Sequence, residues 1–155
     1  MSKFGLRKLG FGILLFGMAV CCYTASPVKA AETDVPIDNK TFPDATFLKY
    51  VGRFDKSGDG RLSESERNAV KEIVVNVDPF SSQTKITSLA GIEYFPNLTV
   101  LECESNSLAG LDVTKNKKLQ ELNCDKNNLQ SLDVSQNTEL IKLQCRYNQL
   151  PGLDV

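Results

Sequence analysis

From Leu98 onward the chain repeats itself with a period of 21 residues and no insertion. The copies read "LTVLECESNSLAGLDVTKNKK", "LQELNCDKNNLQSLDVSQNTE" and "LIKLQCRYNQLPGLDV". Leu98, Leu119 and Leu140 correspond, as do Leu101, Leu122 and Leu143; Cys103, Cys124 and Cys145; Asn106, Asn127 and Asn148; and Leu108, Leu129 and Leu150. An "LDV" triplet at 111, 132 and 153 completes the unit. One such unit is too small to bury its own apolar face, so like units must stack and bury it between them. The second leucine and the cysteine of each copy lie two positions apart and share one side of a strand. Coils spaced about 4.8 Å apart then pile identical side chains into a continuous core.

Each coil must also turn sharply after its strand, which leaves main-chain groups inside without partners. A carboxamide both donates and accepts, so Asn106, Asn127 and Asn148 are expected to point inward as a ladder that satisfies them. Cys103, Cys124 and Cys145 are expected as buried free thiols, since a straight column suits neither the disulfide dihedral nor tetrahedral zinc. One disulfide with an odd thiol is the alternative that a secreted setting keeps open.

The pattern L-x-x-L-x-C-x-x-N-x-L resembles the leucine-rich repeat, and the "LDVS" tail resembles its secreted bacterial, internalin-like forms. Upstream, Val70, Ile73 and Val75 have the spacing of Leu98, Leu101 and Cys103, and Ile86, Leu89 and Ile92 take the later part of the same coil. The array is therefore expected over 70–155: a degenerate first coil at 70–97, regular repeats at 98–118 and 119–139, and an incomplete one at 140–155. Stopping in mid-repeat, the sequence reads as a fragment of a longer protein or a truncated gene product.

Ahead of the array stands "DKSGDGRLSESE", with Asp55, Ser57, Asp59, Arg61, Ser63 and Glu66 at positions 1, 3, 5, 7, 9 and 12 of a twelve-residue run, Gly60 sixth and Leu62 eighth. This resembles the EF-hand calcium loop. The resemblance implies Ca2+ held by side-chain oxygens of Asp55, Ser57 and Asp59, the Arg61 carbonyl, both oxygens of Glu66, and a direct or water-mediated contact from Ser63. Ser57 is neutral where an acid or carboxamide is usual, and no second loop pairs with this one, which implies weak binding of about 10⁻⁴ M. The alternative is a plain turn followed by a helix that Ser63 and Glu66 cap. Phe47, Val51 and Phe54 fall at helical spacing before the loop and suit a cover for the first coil. The whole is expected to be an α/β solenoid: a short helical EF-hand-like N-terminal cap at 31–69, then a leucine-rich-repeat array with a parallel sheet on its concave face.

The first thirty residues are set apart. Lys3, Arg7 and Lys8 precede the apolar run "LGFGILLFGMAVCC", and "SPVKA" offers a cut after Ala30, the pattern of a secretory signal peptide. An uncleaved anchor would need a longer run, and acylation at Cys21 a smaller residue than Val20 before it. Cleavage removes four of the 18 basic residues and none of the 19 acids, so the remaining charge is 14 minus 19, or −5. That balance argues against nucleic acid and anionic membranes, and no later segment is apolar enough for insertion. The expectation is an extracellular or cell-surface-associated monomer.

Histidine is absent, which removes histidine-based nucleophile pairs and metal sites. Carboxylates cluster on the expected concave face, but nothing in the sequence encloses a sugar or separates their pKa values, so no enzyme is expected. The outward positions of that face are Val100, Glu102, Glu104 and Ser105, then Glu121, Asn123, Asp125 and Lys126, then Lys142, Gln144, Arg146 and Tyr147. Glu102, Glu104, Glu121, Asn123, Asp125, Lys142, Gln144, Arg146 and Tyr147 are the candidates for binding a protein ligand; a solvated face of cross-strand pairs is the alternative. A spacer for a downstream domain, the non-catalytic part of a truncated extracellular enzyme, and a dockerin-like role for the calcium loop are the competing functions. The last is weakened because dockerins use two such segments.

Overall fold

The computed structural model describes residues 33–78 and 80–151. The signal-peptide segment and the final "LDV" triplet lie outside the described residues. Seven residues of amphipathic helix open the cap: α1 runs Ala45–Val51, with Phe47 and Val51 fully buried. A 3₁₀ turn, Gly52–Phe54, leads into the acidic loop, and α2, Glu64–Ala69, follows it. Two short strands, β1 (Val35–Pro36) and β2 (Arg61–Leu62), pair antiparallel with Val35 opposite Leu62.

Beyond the cap the chain winds into coils, each giving one strand to a parallel sheet of order β3-β4-β5-β6. The strands are β3 (Glu72–Val74), β4 (Val100–Glu102), β5 (Glu121–Asn123) and β6 (Lys142–Gln144). Their register places Ile73 opposite Leu101, Leu101 opposite Leu122, and Leu122 opposite Leu143. Like stacks on like, as the period requires, and this is a leucine-rich-repeat solenoid. Among the described residues α-helix occurs only in the cap. The return path of each coil is made of turns and one 3₁₀ segment, Ile92–Tyr94. Twenty-one residues that already contain a strand and two reversals leave no length for a helix there.

Leu98, Leu101, Cys103, Leu108, Leu119, Cys124 and Leu129 are all fully buried in one continuous core. Burial falls off in the last coil, where Leu140, Leu143, Cys145 and Leu150 are only partly covered. The cap closes the opposite end with aromatic rings packed edge to face. Phe42 meets Phe47 at 6.0 Å and Tyr94 at 6.2 Å between centroids, and Phe54 meets Phe95 at 5.6 Å. Gly91 lies at this seam with φ 101°, and a Cβ there would run into the Phe42 ring. Only glycine satisfies both constraints.

The inward asparagines form the expected ladder. The Asn127 Nδ2 donates to the carbonyls of Cys103, one coil back (3.0 Å), and of Cys124 in its own coil (3.1 Å), and its Oδ1 accepts from Leu108 N at 3.0 Å. Asn106 makes the same bonds to Val75 O, Cys103 O and Ile86 N, and Asn148 to Cys124 O, Cys145 O and Leu129 N. Just before each ladder residue the chain turns through the left-handed region, at Ser105 (φ 62°), Lys126 (φ 54°) and Tyr147 (φ 57°). None is glycine, so each turn is held against a local preference of about 1–2 kcal/mol.

A second ladder escaped the sequence reading. Asn116 Nδ2 donates to Ile92 O (2.9 Å) and Phe95 O (3.2 Å), and Asn137 Nδ2 to Val113 O and Asn116 O, both at 2.9 Å. Both side chains are buried. The signal was present in the repeat, since "VTKN" and "VSQN" place these residues 21 apart.

Asn127→Ala should destabilise the protein by about 2–4 kcal/mol, because it strands the buried Leu108 N–H and leaves the Cys103 and Cys124 carbonyls one ladder donor each instead of two. Asn128→Ala, on the exposed side of the same turn, should change stability by under about 0.5 kcal/mol. Urea unfolding midpoints of the two variants check this.

Candidate functional site

Two regions carry the candidate residues: the acidic loop of the cap and the exposed face of the sheet. The loop owes its shape to two glycines with positive φ, Gly58 (73°) and Gly60 (77°), which fold it back on itself. Asp55 lies inside the curl. Its Oδ1 accepts from Ser57 Oγ (3.0 Å) and Gly58 N (2.6 Å), and its Oδ2 from Gly60 N (2.9 Å). Glu66 reaches back from α2, where Oε1 accepts from the amides of Lys56 (2.7 Å) and Ser57 (3.0 Å). Its Oε2 accepts from Ser63 N (2.9 Å) and Ser63 Oγ (2.7 Å), closing a capping box at the start of α2. Asp59 Oδ1 accepts from Arg61 N, two residues on. The Arg61 side chain leaves the loop and bonds the carbonyl of Asp34.

Positions 1, 3 and 12 therefore converge on the loop opening, while Asp59 is engaged in its own turn. Among the described residues no three carboxylates or thiols gather closely enough to form a metal cluster. The donor set is all oxygen, which suits a hard cation. Partial burial would raise the pKa values of Asp55 and Glu66, but hydrogen bonds from Gly60, Gly58 and Ser57 to one, and from Ser63, Ser57 and Lys56 to the other, outweigh it. Both carboxyls are held below their ordinary range and stay charged. Leu62, eighth in the loop, is fully buried and pairs with Val35 of the cap's leading strand.

On the sheet, the outward side chains pair from coil to coil. Lys126 Nζ meets Glu104 Oε1 at 2.7 Å, Lys142 Nζ meets Glu121 Oε2 at 3.3 Å, and Arg146 Nε meets Asp125 Oδ2 at 3.3 Å. Hydrogen bonds from Lys126 and then Asn123 hold the Glu104 carboxyl below its usual range. Glu102 accepts from Asn76 Nδ2 at 2.8 Å. Two residues expected outward are buried. Asp125 turns in because its Oδ1 accepts from Arg146 N (2.6 Å), and Ser105 because it occupies the left-handed corner of its coil. Lys142, Arg146 and Tyr147 are exposed, and Glu102, Glu104, Glu121, Asn123 and Gln144 are half-buried. Tyr147, 76% exposed, is the largest open aromatic of this face.

Behind the face, Cys103 and Cys124 are fully buried, Cys145 is partly covered, and all three are free thiols. Burial pushes the Cys124 thiol up to about 12 and that of Cys103 well above its ordinary value. Both are therefore unreactive in the folded state.

One residue that ties cap to coils, Asp44, was missed from the sequence. Asp44 Oδ1 caps α1 through the amides of Thr46 and Phe47, both at 2.9 Å. Its Oδ2 accepts from Thr87 N (2.8 Å) and Thr87 Oγ1 (2.9 Å), 43 residues away in the first coil. Only its N-cap half had a sequence signal, "PDATF".

No protein-family model matches the chain, and no curated protein matches it. Several solved structures do. The chain is similar to the functional domain of InlJ from Listeria monocytogenes, which includes a cysteine ladder, at 33% identity and a TM-score of 0.68. That match covers 82% of this chain and 27% of the other. An internalin, InlF, from the same species matches at 23% identity and TM-score 0.65, over 77% of this chain and 34% of its own. Internalin C2 of that species matches at 23% and 0.56, over 72% and 48%. The fold is that of an internalin-like leucine-rich-repeat protein, and the chain spans between about a quarter and a half of the lengths of these structures. Among the described residues no helix is long and apolar enough to cross a membrane.

Asp44 makes the cap acid-sensitive. Burial alone would raise its pKa, but hydrogen bonds from Thr87, Phe47 and Thr46 outweigh this and lower it from 3.8. A lowered folded pKa contributes stability that is complete above the unfolded value and lost as pH falls through the folded one. Asp44→Ala should therefore destabilise by about 1–3 kcal/mol at neutral pH. The gap in melting temperature from the parent should shrink below about pH 3.8, the ordinary aspartate value. Thermal melts across pH test both statements.

Proposed function

We propose that this chain is a secreted protein-binding module that presents the exposed, concave face of its leucine-rich repeats to a protein ligand and uses a calcium-stabilised N-terminal cap. One observation carries the binding reading: four strands in strict register put their outward side chains on one continuous face. The fold supports it as well, since the solved structures it resembles are internalins. On that face Glu102, Glu104, Glu121, Asn123, Lys142, Gln144, Arg146 and Tyr147 are the contact candidates, and Asp125 acts through Arg146, which it orients. The Cys103, Cys124 and Cys145 column is read as a cysteine ladder like the one in InlJ, here serving as packing. A monomer in the extracellular space, with no enzymatic activity, completes the reading.

The calcium reading rests on the closed loop, its all-oxygen donors and its two charged carboxyls. Asp55, Ser57, Asp59, Ser63 and Glu66 would hold the ion with the Arg61 carbonyl. Its role would be to join α1 to α2 at the end of the stack. The alternative function, a spacer or the non-catalytic part of a longer enzyme, is separated by the face itself.

Charge reversal at Glu121 and Lys142 together should weaken capture of a protein ligand from an extracellular protein extract at least tenfold while leaving the melting temperature unchanged. A spacer would show no ligand to lose. Millimolar calcium should raise the melting temperature of the parent by several degrees, as about 1.4 kcal/mol at tenfold the dissociation constant requires. Glu66→Gln should abolish the rise, and equal melts with calcium and with chelator would remove calcium from the account.

A further inference from the structure

Among the described residues the outer edge of the sheet's first strand pairs with no other strand. Alternation along β3 and its continuation turns Val75 and Val77 toward the next coil, where their amides donate to Glu102 O (2.8 Å) and Glu104 O (3.0 Å). The main-chain groups of Val74 and Asn76 accordingly face away from the sheet. The Val74 N–H is taken by Tyr50 Oη, at 3.1 Å. The Val74 carbonyl and the N–H and carbonyl of Asn76 bond no other described residue. An exposed row of this kind is a template for another strand.

That edge does not face open solvent. It forms one wall of a groove of about 820 Å³ whose other wall is α1, with Lys49, Tyr50 and Arg53 on the helix side and Val74, Asn76 and Val77 on the strand side. Val74 is 39% exposed, a valine presented to whatever occupies the groove. Lys49 and Arg53 are both exposed, and among the described residues neither forms an ion pair. Arg53 is held in place, with its guanidinium 4.8 Å from the Tyr50 ring centroid. On the strand side, Glu102 is bonded to Asn76, and Glu72 at the start of β3 forms no ion pair among the described residues. Two cations with no ion-pair partner among the described residues, Arg53 held against Tyr50, thus flank a main-chain edge and an apolar strip.

We propose that this groove binds an extended, acidic segment of a partner protein, which adds as a strand to the outer edge of β3 and sets its carboxylates against Lys49 and Arg53. Strand addition supplies main-chain hydrogen bonds, and alternate side chains supply selectivity. One side chain of the segment covers Val74, and its neighbours, pointing the other way, reach the two cations. A helix would leave the edge groups of Val74 and Asn76 unpaired, which is unfavourable once water is excluded. Tyr50 limits the addition by holding the Val74 amide, so the site is short and its affinity modest. The proposal shares with the functional reading that the chain binds proteins, but uses the groove at the cap-side edge of the sheet and not the part of the outward face around Glu121 and Lys142.

The test uses the full chain and two labelled seven-residue peptides, one alternating valine with glutamate and one alternating valine with lysine, read by fluorescence anisotropy. The glutamate peptide should bind and the lysine peptide should bind at least tenfold more weakly. The double variant Lys49→Glu with Arg53→Glu should reverse that preference, with an unchanged melting temperature showing that it is folded. A glutamate peptide carrying N-methyl groups on alternate amides should lose binding, because it cannot complete the edge. No binding by either peptide, or a preference indifferent to the charge reversal, would overturn the proposal. A dimer of the parent that the double variant dissociates would put a second copy in the groove and overturn it too. The Glu121 and Lys142 reversal should leave peptide binding unchanged, so failure at one face is distinguishable from failure at the other.

Discussion

A coil of 21 residues cannot reverse direction twice without turning main-chain amides and carbonyls into its own interior. Burying such groups unpaired would cost more than the stacked leucines return. Everything regular in this protein follows from how that is avoided. Asn106, Asn127 and Asn148 each bond a carbonyl of their own coil and one of the coil before, and accept an amide from the previous coil's return path. Asn116 and Asn137 do the donor half of the same work on the opposite side. The ladders therefore fix the register of one coil on the next, which leucine packing alone would leave free to slip.

A stack solved in this way has ends, and the N-terminal end is closed by different chemistry. Phe42, Phe47 and Phe54 bring aromatic surface to Tyr94 and Phe95, Gly91 makes room for Phe42, and Asp44 joins the start of α1 to Thr87. The acidic loop between α1 and α2 belongs to this closure. Its glutamate caps α2 with one oxygen and ties the loop's beginning with the other, so the cap is held even before any ion is considered. Function is then left to the surfaces the stack does not consume: the outward face of the sheet and the groove beside its first strand.

How much of this was legible depended on whether a residue's role repeats. Leu101, Cys103 and Asn106 declared themselves by recurring at 21-residue intervals beside strand-period neighbours, and the parallel sheet followed. The capping box of Ser63 and Glu66 was legible because its partners are three residues apart. Asp44 and Thr87 were not, because their contact spans 43 residues and occurs once. Asp125 looked like a surface acid until the next coil placed the Arg146 amide on it. Asn116 and Asn137 recurred in plain sight, but sat among charged residues that read as loop. The groove beside β3 had no local signal, since it arises only when α1 packs near an edge that sequence cannot place.

Native-state hydrogen exchange at the amides of Ile86 and Leu108 tests the central claim most directly. These two donate to the side chains of Asn106 and Asn127, not to any main-chain carbonyl. If the ladder holds the coils in register, both amides should exchange only through global unfolding, with protection equal to that of the β4 and β5 strand amides. Leu129, whose partner Asn148 lies in the less covered last coil, should be less protected. Exchange of Ile86 and Leu108 at the rate of ordinary loop amides, while the strands stay protected, would contradict the account.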